Sequence, residues 1–180
     1  MTTSVRVAGV YAVAALMLCG AAVLAQGQAG NMVERIPMAN PDLPIAAAVV
    51  VPAGYDTIYV SGHIPKVANV KAPKGSTEMY GDTKTQTVSV LQQIEELLAA
   101  QRLSMADVVM VHVYVAGDPA NGGKMDFAGM NAGFVQFFGS KEQPNKPARS
   151  TVQVAALAAP GALVEIEAIA VRKHEAHLMH

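Results

Sequence analysis

The stretch Val164-Glu165-Ile166-Glu167-Ala168-Ile169-Ala170, preceded by Pro147-Ala148-Arg149-Ser150, sets the terms on which this chain can fold. Both segments read as β-strand. Alternate residues of a strand point the same way, so Glu165 and Glu167 share one face while Val164, Ile166 and Ala168 share the other. Arg149 and Glu165 are charges in or beside runs that are otherwise apolar. An unpaired buried charge costs several kcal/mol, so each asks for a partner, and a small molecule carrying a carboxylate is one candidate.

Outward from there, Ser150–Leu157 and Leu163–Val171 read as two strands joined by a turn at Pro160-Gly161. Upstream, Met125–Phe138 reads as a helix in which Gly129 and Gly133 mark close packing. Val108–Val115 is apolar at almost every position, the pattern of a strand buried on both faces. Asp82–Arg102 is the clearest helix, with Val88, Leu91, Ile94 and Leu98 at three- and four-residue steps and Asp82 as N-cap. A long loop, Lys66–Gly81, precedes it; loops of that length are often functional. Ile45–Val51 and Thr57–Val60 read as strands that form a hairpin about Pro52-Ala53-Gly54. The order β-β-α-β-α-β-β predicts a single α+β domain, a mixed sheet with two helices on one face. Two helices cover only one face, so the other calls for a second subunit.

Composition bounds the remainder. Arg6, the apolar run Val7–Leu18 and the small residues before Gln26 read as a secretory signal over residues 1–25. The alternatives are an uncleaved anchor, since the run reaches about the minimum length of a membrane span, and lipid attachment at Cys19, against which the bulky Leu18 argues. Residues 26–43 read as a loose leader, 44–172 as the folded domain and 173–180 as a polar tail. Loss of Cys19 with the signal leaves no cysteine, which excludes disulfides and thiolate chemistry. A chain that is 52% hydrophobic can be held by its core alone. Its formal charge of −1, or −2 once Arg6 departs, excludes the basic footprint of a nucleic-acid binder. A periplasmic or secreted protein, without stable membrane association once the signal is cleaved, is expected.

Among residues that could carry chemistry, Arg149 offers a guanidinium fork suited to a carboxylate, or it is a surface arginine at a strand end. Glu165 or Glu167 could handle a proton or orient a water, or both face solvent. His63 follows Ser61-Gly62 at a strand end and reads as structural more readily than catalytic. His112 reads as a core histidine with a satisfied hydrogen bond. His174, His177 and His180 have metal-like spacing but no rigid support, so no metal site is expected. No phosphate loop is present.

Five blocks, in order over residues 44–172, resemble the Rid family (reactive intermediate deaminases, also called YjgF-like). They are Tyr59-Val60-Ser61-Gly62-His63-Ile64-Pro65; Thr85-Gln86-Thr87-Val88 through Leu98 with Asp107-Val108-Val109; Met130-Asn131-Ala132-Gly133-Phe134 through Phe138; Pro147-Ala148-Arg149-Ser150; and Glu165 through Ala170. The resemblance implies a chorismate-mutase-like homotrimer with a site in each cleft between subunits. It implies that Arg149 grips the substrate carboxylate, that Glu165 positions or activates water, and that Ser61, Gly62, Asn131 and Thr151 line the pocket. The implied reaction is hydrolysis of small 2-imino or enamine acids to 2-oxo acids and ammonia, without a cofactor. The sequence departs from the family pattern at Ala48 (usually Tyr), His63 (usually Gln) and Thr151 (usually Cys). The alternative is a trimer in the periplasm that binds small carboxylates without turnover. A ribonuclease or translation inhibitor, as some relatives are labelled, fits the acidic balance poorly.

Overall fold

The structure, a computed structural model, describes residues 32–174; the expected signal segment 1–25, the first part of the leader (26–31), and the tail histidines His177 and His180 lie outside the described residues. Six strands and two α-helices follow one another: β1 (Glu34–Pro37), β2 (Ala46–Val50), β3 (Tyr55–His63), α1 (Thr83–Ala100), β4 (Val108–Ala116), α2 (Phe127–Phe134), β5 (Ala148–Val154) and β6 (Val164–Lys173). The expected α+β class and the two helices laid on one sheet are both present. Among the described residues no helix is long and apolar enough to cross a membrane.

The main sheet runs β3-β6-β4-β5, antiparallel except for the parallel pair β4–β5. β6 is central, as its alternation requires. Val164, Ile166, Ala168 and Ala170 are buried beneath the helices, together with Val111, Val113 and Val115 of β4. α1 lays Val90, Leu91, Ile94 and Leu98 on that face and is capped by Asp82, whose side chain accepts from Thr85 N. Gly133 lets the helices touch, since a Cβ there would stand 2.8 Å from Thr87 Cβ.

The structure corrects several expectations. β2 does not form a hairpin with β3; it pairs with β1, a strand inside the segment read as a loose leader. β3 instead pairs with β6, where Val60 reaches the core. Pro52 has no N–H to continue a ladder, and Ala46 N turns to Pro147 O at 2.9 Å. The regular part of the second helix spans Phe127–Phe134 and continues only as turns towards Phe138. β4, read as buried on both faces, alternates: its odd-numbered residues are buried, while Met110, His112 and Tyr114 are half-exposed on the face without helices. That open face also carries Tyr59 (77% exposed) and Val152 (48%).

Candidate functional site

The strand register divides the predicted site residues between two places. Arg149 stands opposite Val111, which stands opposite Ala168; both of those are core residues, so Arg149 points to the helix side. Thr151, opposite Val113, shares that face. Glu165 stands opposite Tyr114 and Glu167 opposite His112, on the open face. Within one chain the guanidinium and the catalytic-candidate carboxylate therefore lie on opposite sides of the sheet. Arg149 is also on the edge strand β5, two strands away from β6.

Around Arg149 the helix α2 supplies a built cradle. Asn131 Oδ1 accepts from Arg149 Nη1 at 3.1 Å, and the guanidinium carbon lies 4.3 Å from the Phe134 ring centroid and 5.7 Å from that of Phe127. Ring faces attract a cation and keep water off it. Phe127, Asn131 and Phe134 reach one spot because they are three and four residues apart on a helix, a signal in the sequence that the reading of Arg149 alone did not use. Among the described residues no carboxylate pairs with Arg149. Burial without a counter-charge lowers its pKa to about 10, which leaves it cationic at neutral pH. Beside it, Thr151 Oγ1 is buried and makes no hydrogen bond to the described residues. A half-buried cation and an unsatisfied hydroxyl on one face form a site suited to an anionic, hydrogen-bonding ligand.

The second place is where β3 bulges. Pairing with β6 slips between Val60 and His63, which leaves Ser61 and Gly62 displaced and exposed. A Cβ at Gly62 would run into Glu165 Oε1, with the carboxyl carbon only 3.1 Å away. Gly62 is thus the close approach expected of a strand glycine, and it seats the Glu165 carboxylate. Gln86, fully buried, anchors the backbone just before β6: its Nε2 donates to Gly81 O at 2.8 Å, while Leu163 N donates to its Oε1 at 2.6 Å. Two residues later comes Glu165. Sequence reading passed over this clamp because a polar residue in a helix normally reads as solvated.

His63 bends back, Nδ1 lying 2.8 Å from Ser61 O. His112 is hydrogen-bonded as expected, but on the open face and not in the core: its Nδ1 is 2.8 Å from Glu167 Oε1, which Tyr114 OH also reaches at 3.1 Å. That hydrogen bond raises the Tyr114 pKa, with burial and the nearby carboxylates adding to it. Ala48 is exposed on β2. No cluster of three metal-ligating side chains occurs among the described residues of one chain.

Comparison with known proteins agrees with this architecture. The family profile described as Endoribonuclease L-PSP matches residues 44–172. The RutC family protein PH0854 of Pyrococcus horikoshii is 36% identical over 116 residues, covering 64% of this chain and 79% of its own. TdcF of Escherichia coli, named as a candidate reactive intermediate deaminase, is 33% identical over 115 residues, 64% of this chain and 78% of its own. Among solved structures, the Rid protein YyfB of Yersinia pestis superposes with a TM-score of 0.57 at 27% identity, covering 78% of this chain and 98% of that one. Escherichia coli TdcF with bound serine gives 0.51 at 32% identity, covering 68% and 85%. The chain belongs to the Endoribonuclease L-PSP family, that is, to the Rid or YjgF-like proteins. The group includes proteins named as reactive intermediate deaminases.

Proposed function

We propose that this protein hydrolyses small 2-imino or enamine acids to 2-oxo acids and ammonia, in sites that two chains complete together. The observation carrying the reading is that a cradled, unpaired Arg149 and a glycine-seated Glu165 occupy opposite faces of one sheet. Each is half of a site. Closing three copies about an axis, with open faces inward, would let the β5–α2 side of one chain meet the Ser61-Gly62 bulge of the next. Such packing would also cover Tyr59 and Val152, the exposed apolar side chains of the open face.

In the joined cleft, Arg149 and Asn131 pin the substrate carboxylate, with Thr151 Oγ1 as a further donor. This fixes the C=N carbon before Glu165. Glu165 takes a proton as water adds its oxygen to that carbon. The amine nitrogen is protonated, the carbinolamine C–N bond breaks, ammonia leaves, and the oxygen becomes the 2-oxo group. Positioning and one acid–base carboxylate suffice for this, and every atom comes from substrate and water. The bound serine of the TdcF structure is a small molecule with a carboxylate of the same kind. We place the protein in the periplasm or outside the cell, on the pattern of residues 1–25.

The test is ammonia release from freshly generated 2-iminopropionate or 2-iminobutyrate. Wild-type protein should accelerate it and Arg149→Ala should not; equal rates would remove the proposal. The exposed Ala48, where an aromatic wall is usual, favours a second reading: a trimer that binds small carboxylates without turnover. On that reading 2-oxobutyrate raises the melting temperature through binding linkage while ammonia release stays at the background rate.

A further inference from the structure

The His112–Glu167–Tyr114 group takes no part in the proposed hydrolysis. It lies at the middle of the open face: His112 is the fifth of nine residues in β4, and β4 and β6 are the two inner strands of four. In a three-sided arrangement of sheets the middle of each wall comes nearest the axis, so the three-chain reading brings three copies of His112 towards one line. A concavity of about 380 Å³, lined by Tyr59, Ser61, His112, Glu167 and Ile169 among others, leaves room over the ring.

The hydrogen bonds settle which nitrogen is available. A carboxylate can only accept, so His112 Nδ1 carries the proton it gives to Glu167 Oε1. Tyr114 OH donates to the same oxygen and fixes the carboxylate in turn. In the neutral imidazole His112 Nε2 is then a lone pair, with no partner among the described residues. A histidine whose Nδ1–H is held by a carboxylate, with Nε2 outward and its ring orientation fixed, is the usual build of a metal ligand and its support. Three such lone pairs facing one another in a covered interface are acceptors that need a donor or a cation. A cation resolves that.

We propose that three His112 Nε2 atoms, one from each chain, hold one divalent transition-metal ion of the zinc type on the trimer axis, each backed by Glu167 and steadied by Tyr114. The proposal rests on the three-chain reading. Three imidazoles leave a coordination position for water, and three Glu167 carboxylates compensate the charge. The site's ligating atom belongs to none of the cleft residues, although Tyr114 stands opposite Glu165 on the same face, and the site revises the expectation of no metal for the assembled particle only.

The experiment is native mass spectrometry of the chelator-stripped full protein, together with Co²⁺ and Zn²⁺ titration. A particle of three chains should take up one ion that is lost in His112→Ala. Co²⁺ should give visible d–d bands absent from that variant, and Zn²⁺ should raise the wild-type melting temperature only. Ions that survive in His112→Ala belong to the tail histidines; if uptake is identical in both proteins, the axial site is overturned. A three-chain particle without uptake at micromolar metal overturns the axial site and leaves the cleft reading standing. A particle of any other stoichiometry overturns both.

Discussion

The β5 edge and the β3 edge of one sheet have opposite characters. At β5, Arg149 is withdrawn from water, bonded by Asn131 and flanked by Phe134 and Phe127, so its position is set before any ligand arrives. At β3, the Ser61-Gly62 bulge is open, and the Glu165 carboxylate rests over bare backbone. On the proposed function the contrast is a division of labour: the cationic side would supply grip through partial desolvation, and the carboxylate side access for water. Neither side could do the other's work, because a half-buried cation does not take up a proton from water and a carboxylate does not hold an anion.

The sharpest way to break this contrast is at the grip. Arg149→Ala should lower kcat/KM for 2-iminobutyrate by about a hundredfold or more, the loss of roughly 3 kcal/mol from charge-assisted hydrogen bonds. Arg149→Lys should recover little of it, since the fork is lost with the charge kept. Glu165→Gln should reduce kcat by about a hundredfold with KM nearly unchanged, because an amide keeps the shape and loses the base; a rise in KM alone would assign Glu165 to binding. Mixing Arg149→Ala and Glu165→Gln chains, unfolding and refolding them together, should restore roughly a quarter of wild-type activity if each cleft draws one half from each neighbour. No recovery in mixed trimers would mean that both halves come from the same chain.

Smaller effects sharpen the contrast. Gly62→Ala should cost about tenfold in kcat with little change in stability, as the added methyl group displaces Glu165 from its seat. Carboxylate binding should stay flat through the neutral range and weaken as pH rises towards about 10, where Arg149 loses its proton; bound anion favours the charged form and moves that limit upward. Calorimetry across that range would show it. Last, Asp82→Ala should lower stability by about 1 kcal/mol through the lost cap of α1, read as a shift in denaturation midpoint with activity per folded molecule unchanged.

Much of this was legible in the chain. The alternation of β6 and the helical step of α1 are strong periodic signals, and both elements occur within two or three residues of the expected bounds. Gly133 as a close-packing mark was readable too, since a glycine inside an apolar helix has few other reasons. Strand pairing was less accessible. Nothing in Ile45–Val51 states whether its partner precedes or follows it, and a hairpin about Pro52-Ala53-Gly54 satisfied local rules while β1 took the place. The fully apolar look of β4 also misled, because Met110 and Tyr114 read as core residues by type although they lie on the open face. For the candidate site, residue types singled out Arg149 and Glu165 as candidates but did not say that they lie on opposite faces; that needed the register. The clamp of Gln86 on Leu163 joins residues far apart in sequence, and no local pattern announces it.

The separation of Arg149 from Glu165 across one sheet has a bearing on control. Opposite charges that shared a face could collapse into an internal ion pair and silence one another, but a wall of backbone and core keeps these two from ever meeting inside a single molecule. Turnover would then scale with encounter between molecules, so that dilution below the association threshold extinguishes it and crowding rekindles it, with no effector required.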